Sequence, residues 1–330
     1  MKLILLRSFF LLFFFLTSLL RAQDNNMGLV IGDLLKITRN FVAPAGKATV
    51  YQSDAGWFTS AHSLGLWKIN VSLQGNALLV PDGKTSTKVS NADFAVIRIR
   101  GSENANIPTA FGGDTDVFFD GEVNAFGNST QFEFQALEGL GKQVVIHPFL
   151  QVAVGLPLQT EFSIRYVPMV NIDDVETLTF GVGIKHNINQ YFSGSTPESF
   201  QFAVLVAYSK FNVDYWFEPL DISGLAEFDA LKVKSDLWSL QLISSKTFSD
   251  SWEVFAALGL NLADFNFTLG GKGPALKGLN QALETVGDNE VSIKGHLGAN
   301  YHINQFSINT MATFGEFYNF SLGCAYNFGS

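Results

Sequence analysis

Residues 317–328 read FYNFSLGCAYNF. In an extended chain Tyr318, Phe320, Leu322, Cys324, Tyr326 and Phe328 fall on one face, and Asn319, Ser321, Gly323 and Asn327 on the other. Residues 67–77 repeat the pattern: Trp67, Ile69, Val71, Leu73 and Ala77 against Lys68, Asn70, Ser72, Gln74 and Asn76. Alternation over about ten residues is what a strand needs to cross a bilayer with lipid on one side and a polar interior on the other. Strands of soluble sandwiches also alternate, but they are usually about five or six residues long. Length therefore points to a membrane barrel, with a soluble secreted β protein as the alternative.

Composition agrees. Charged residues make up 15% of the chain, against about 25% in ordinary soluble proteins. There are 32 Phe, yet no continuous apolar span follows the first twenty residues. A net charge of −9 argues against nucleic acid, which demands clustered Lys and Arg. The single cysteine, Cys324, excludes an intramolecular disulfide and has the parity of a small lipid-facing residue. The expected surroundings are outer-membrane lipid.

The chain starts with Lys2 and Arg7, an apolar run from Phe9 to Leu20, and then Arg21-Ala22-Gln23. This reads as a signal peptide over residues 1–22, with an uncleaved anchor helix as the alternative; Leu20 stands where a small residue is expected. Residues 23–65 form a periplasmic or plug segment in this reading, and residues 66–330 the barrel. Val30, Leu34, Ile37 and Phe41 recur at helical spacing, so a short helix is expected over 27–41, ended by Pro44. The stretch 51–61 has a weak strand pattern.

The fold class expected is all-β: an antiparallel transmembrane β-barrel of about 12 strands, with 10–14 possible, and a short N-terminal helix or plug. The strands lie at about 66–80, 92–101, 130–137, 145–156, 161–167, 177–188, 200–213, 232–247, 252–267, 290–303, 306–314 and 317–328. Short turns near 157–160, 248–251 and 304–305 alternate with longer segments near 169–176, 214–231 and 268–289. Short periplasmic turns and long external loops are the habit of outer-membrane barrels, and an even strand count brings both barrel ends to the periplasm. Trp57, Phe58, Trp67, Tyr191, Phe192, Tyr215, Trp216, Trp252, Tyr301, Tyr318 and Tyr326 cluster near strand ends and suit interfacial girdles.

The segments 53–61 (SDAGWFTSA), 148–168 (PFLQVAVGLPLQTEFSIRYVP) and 179–191 (TFGVGIKHNINQY) resemble an uncharacterised family of outer-membrane β-barrel proteins from Bacteroidetes-type bacteria. Gly155-Leu156-Pro157 and the run Gly181–His186 carry most of that likeness. The resemblance implies a signal peptide, a barrel and residence in the cell outer membrane, and it supplies no activity. A more distant likeness, of architecture alone, is to long-chain fatty-acid transporter barrels, whose N-terminal segment plugs the lumen.

If the apolar parity faces lipid, Lys68, Arg98, Arg100, Arg165, Lys185 and Lys294 line the lumen together with Glu161, Glu253 and Glu290. The acids Asp173, Asp174, Glu176, Asp214, Glu218, Asp221, Glu227 and Asp229 gather in the expected loops. A cationic interior selects anions; alternatively the charges are inward salt bridges that stiffen the barrel.

Chemistry-bearing motifs are sparse. Gly83-Lys84-Thr85 ends like a phosphate-binding loop, but Leu78 occupies the place of the earlier glycine. Asp114, Asp116, Asp120 and Glu122 lack calcium-hand spacing. His296 and His302 are six residues apart on one strand, roughly 20 Å, too far for one metal. His147 and His186 have no serine paired with them by sequence. No enzyme activity, cofactor or metal is expected. The expected function is a channel or transporter for small hydrophobic or anionic solutes; the alternative is a non-transporting barrel that serves as scaffold or partner in a surface or secretion assembly.

Overall fold

The computed structural model describes residues 26–125, 128–172, 175–192, 200–222, 226–274, 276–284 and 289–329. The expected signal peptide and the acids Asp173 and Asp174 lie outside these residues. The described residues begin with helix α1 (Met27–Asp54) and enter β1 (Ile69–Leu79). Next comes an insert with β2 (Ser86–Ser90), β3 (Arg98–Ile99), β4 (Asn104–Pro108), β5 (Phe118–Ala125) and β6 (Asn128–Gln135). The remaining wall is β7 (Val144–Leu156), β8 (Thr160–Ile172), β9 (Val175–Asn187), β10 (Gln201–Ile222), β11 (Ala226–Thr247), β12 (Trp252–Lys272), β13 (Asn289–Ile303), β14 (Phe306–Phe314) and β15 (Tyr318–Phe328). Helix α2 (Leu276–Glu284) sits between β12 and β13.

Ten strands close the barrel in the order β1-β15-β14-β13-β12-β11-β10-β9-β8-β7, every neighbour antiparallel. All ten were legible from alternation. The count stands at the lower end of the expected range because two expected strands belong elsewhere. Residues 92–101 hold only the two-residue β3, and 130–137 overlap β6; both pair within a separate sheet β3-β5-β6. Their alternation is real, but Ile97, Ile99, Phe132 and Phe134 bury it in the insert's own core rather than against lipid.

The outer belt has a sharp upper edge. On β12 the outward positions run Trp252, Val254, Ala256, Leu258, Leu260 and Leu262, then turn polar at Asp264, Asn266 and Thr268. Residues 252–262 match the roughly ten residues that a tilted strand spends in hydrocarbon. Across β10–β13 the edge follows the register: Tyr208, Trp238, Leu262 and Val291 are successive partners, and one step beyond them so are Lys210, Asp236, Asp264 and Asn289. Aromatic contacts mark the rims, with Trp252 on Tyr301 and Phe306 on Tyr326 at the short-turn end, and Tyr208 on Trp238 at the other. Trp57 and Phe58, expected in a girdle, are instead buried in the lumen.

Strands β10–β12 continue beyond that edge, so most of the expected external loop 214–231 is paired strand, while 268–289 is paired to Lys272 and then holds α2. The pairing persists because the inner face stays apolar. Leu231, Val233, Phe265, Phe267 and Leu269 pack with Phe41 and Ile37 of α1, Leu279 and Leu283 of α2, and Phe119 and Phe134 of the insert. Together they build a head at the long-connection end of the barrel.

The predicted helix at 27–41 is present but does not stop at Pro44; it continues to Asp54. Proline removes only its own N–H, which an i→i−4 ladder would aim at Asn40. The insert fills part of the disturbance, as Ala110 N–H donates to the Phe41 carbonyl (2.9 Å). One continuous buried stripe before and after the proline holds the helix together.

Candidate functional site

Asn26 is held at the head, its Oδ1 accepting from Asn124 N–H (2.7 Å) and its Nδ2 donating to the Glu122 carbonyl (2.8 Å). From there α1 descends into the barrel, and residues 55–66 leave at the short-turn end, where the Ser63 hydroxyl donates to the Gln159 carbonyl (2.6 Å). The barrel strands β1 and β15 do end on one side, but the threaded segment begins on the opposite one.

The three segments behind the family resemblance meet inside this lumen. Asp54 is fully buried and accepts from Ser239 Oγ (2.5 Å), Gln241 Nε2 (2.5 Å) and Asn261 Nδ2 (3.1 Å), with Lys294 Nζ and His296 Nε2 each at 3.5 Å. Lys294 also donates to the Val50 carbonyl (2.8 Å). The Arg165 guanidinium lies between the rings of Trp57 (4.1 Å) and Phe149 (3.7 Å), and donates to the Ser53 carbonyl (2.9 Å) and Gln151 Oε1 (3.1 Å). Gly181 and Gly183 leave the room that the Trp57 ring fills: a Cβ there would stand 2.8 and 3.1 Å from it. A Cβ on Gly155 would stand 2.1 Å from the Gly65 carbonyl, so the glycine permits the threaded backbone to pass.

Five of the expected lumen residues are buried inside the wall: Arg165, Lys185, Lys294, Glu161 and Glu253. Lys185 pairs with Glu161 (3.2 Å) and donates to the Ser60 carbonyl (3.1 Å); Glu253 accepts from Ser60 Oγ (2.6 Å), with His302 Nε2 at 3.6 Å. Three expected positions are elsewhere. Arg98 and Arg100 belong to the insert, because β3 never joins the barrel, and Lys68 is exposed just before β1. Arg100 pairs with Asp120 and Glu133 in water; the hydrogen bond from Arg100 holds the Asp120 carboxyl below its usual range and the same pairing raises the guanidinium. Glu290 is at the upper mouth, paired with Lys47 (3.2 Å). Glu316 pairs there with Lys47 and Lys84; burial opposes its charge, but those two ammonium groups hold its carboxyl below the usual range.

Periodicity could not find Asp54 or Trp57 as lumen residues, since the threaded segment is neither strand nor lipid-facing. Their sequence signals were the expected plug segment 23–65 and the family resemblance of SDAGWFTSA, residues 53–61.

Two cavities flank the plugged middle, and no described residue lines both. The lower, about 240 Å³, is polar and includes Ser60, His62, Glu161, Lys185, Glu253 and His302. The upper, about 130 Å³, is apolar; Phe41, Ala48, Val145, Phe211, Leu231 and Val233 are among its walls. Among the described residues no group of His, Cys, Asp and Glu is arranged to hold a metal.

Solved structures similar to this chain are outer-membrane proteins. The translocator domain of autotransporter NalP from Neisseria meningitidis aligns at 11% identity and TM-score 0.34, covering 88% of this chain and 99% of that one. The COG4313 outer membrane channel from Pseudomonas putida F1 aligns at 10% identity and TM-score 0.28, covering 83% and 99%. Ail, the attachment invasion locus protein of Yersinia pestis, aligns at 9% identity and TM-score 0.27, covering 80% and 100%. These are distant likenesses of barrel to barrel. None of the curated proteins compared matches the sequence. The belt, the closed sheet and the alternation make this a barrel membrane protein, and a family model matching residues 1–328 places it: the chain belongs to the family of unknown function DUF6588.

Proposed function

We propose that this protein resides in the outer membrane with its short turns in the periplasm, and that it binds and passes a small uncharged hydrophobic molecule. The observation that carries the reading is the upper cavity. A lumen segment that only sealed the barrel would pack it solid, whereas here α1 leaves an apolar pocket of about 130 Å³ beside Phe41, Ala45 and Ala48. Apolar cavities of about 150 Å³ stay dry and take a guest the size of one aromatic ring. The alternation of short turns with a head-building long end supports the orientation. An anionic solute is the weaker reading, because Lys185, Lys294 and Arg165 are all engaged by the plug or by neighbouring acids.

The test is titration of the detergent-solubilised protein with ¹³C-methyl toluene, followed by NMR. Saturable binding of about one molecule per chain is expected. It should be lost in Ala48→Leu, whose fold is checked by heat-modifiable gel mobility. Uptake no greater than into empty micelles overturns the reading and favours the scaffold alternative.

A further inference from the structure

Among the described residues, every barrel ladder but one runs until one of its two strands ends. The β7–β8 ladder runs from Leu156↔Thr160 to Leu150↔Tyr166 and ends there. Above that point β7 continues to Val144 with β1 as its partner, and β8 continues to Ile172 with β9 as its partner. Two strand edges thus face one another without pairing in the upper half of the wall.

The sequence dictates the break. Gln143 O accepts from Val80 N–H, and Gly155 exchanges hydrogen bonds with Lys68 O and Trp67 N–H, so odd-numbered residues of β7 turn their backbone groups toward β1. Even-numbered residues turn theirs toward β8. Extending the register from Leu150↔Tyr166 makes Pro148 and Pro168 the next pair that should exchange hydrogen bonds. Neither has an N–H. Beyond Val167 the register of β8 against β9 also slips, resuming at Val170, and such a bulge bends a strand away from its neighbour. Unpaired strand edges facing lipid are costly, and non-ladder backbone at membrane depth is tolerated where it lines a cavity. Here it lines one: Val145 on β7 and Thr177 on β9, the strands on either side of β8, both wall the apolar pocket. Outside the seam, Val144 and Ile146 present exposed apolar side chains. Behind it, His147 Nε2 lies 3.3 Å from Thr179 Oγ1, bridging β7 to β9 across the inner side of β8.

We infer that the β7–β8 seam is a lateral portal through which an uncharged hydrophobe of one-ring size passes between the pocket and the bilayer. This inference rests on the pocket reading above. A polar or charged solute has no use for such a route, since it opens on hydrocarbon.

The experiment is the exchange rate of ¹³C-methyl toluene between pocket and bilayer, measured by NMR with the full chain in nanodiscs. Pro148→Val with Pro168→Val restores both missing donors. With the ladder extended, shown by amide-exchange protection at Val144 and Ile146, exchange should slow at least tenfold at unchanged affinity. His147→Ala removes the bridge behind the seam and should speed exchange several-fold. Exchange unmoved by both variants, in protein that binds toluene, overturns the portal alone; absence of toluene binding in the unaltered protein overturns the pocket reading, and the portal with it.

Discussion

Lys294 and Asp54 are both fully buried, and each has the other as its nearest full opposite charge. Taking one partner from such a pair leaves a bare charge in a closed interior, which costs about 3–5 kcal/mol, whereas replacing both by apolar groups is often neutral. Asp54→Ala should therefore loosen the plug by about that amount, and Asp54→Leu combined with Lys294→Met should recover most of it. Urea unfolding in detergent, read by gel mobility, checks the comparison. Equal losses in the single and double variants would show that the hydrogen bonds from Ser239, Gln241 and Asn261 matter more than the charge. Gly181, Gly183 and Gly155 show a different residue-scale logic. They look like ordinary inward-facing strand positions, and only the Trp57 ring and the Gly65 backbone explain why nothing larger stands there.

At the scale of elements, one carboxylate helps fasten the insert to α1. Asp33 of α1 is buried and accepts N–H groups from Ala95 (2.9 Å), Val96 (2.7 Å) and Ile97 (3.0 Å), so it fastens the insert to the helix. Asp33→Ala leaves those donors without their acceptor and should cost about 1–3 kcal/mol of the insert's docking. Limited proteolysis of the detergent-solubilised protein should then cut within residues 80–143 while the barrel keeps its heat-modifiable mobility; protection equal to that of the unaltered protein would refute the fastening role. The same element explains the misplaced strands. Residues 92–101 alternate because Asp33 and the insert core grip one side of an extended segment, and alternation alone does not say whether the apolar side meets lipid or protein. Pro44 teaches the converse lesson: a strong local stop signal yields when the helix is buried on both sides of it.

At the scale of the molecule, ten strands enclose more space than their own inward side chains fill. The threaded segment takes up that space through its middle, from the Asp54 cluster to the stacked Trp57 and Arg165. The intact protein should consequently show no steady conductance in planar bilayers, and a variant lacking residues 26–61 should show discrete steps; steps of equal size in both would mean that the plug does not seal. The head adds an asymmetry of its own. Lys210, Asp236, Asp264 and Asn289 mark where the wall leaves the apolar layer, and above them the paired strands, α2 and the insert form a second core in water.

All ten wall strands, the turn at Pro157, the helix near residue 30 and the inward parity of Arg165, Lys185, Lys294, Glu161 and Glu253 were determined by the sequence itself, because a strand with lipid on one face repeats every second residue. The plug's partners, the membership of Arg98 and Arg100 in the insert, and the unzipped seam were decided by the tertiary structure. Those depend on which segments come to lie opposite one another: Asp54 opposite Lys294, Trp57 opposite Gly181, and Pro148 set by register to meet Pro168. Periodicity records the face a residue turns outward, and it carries no record of what waits on the other side.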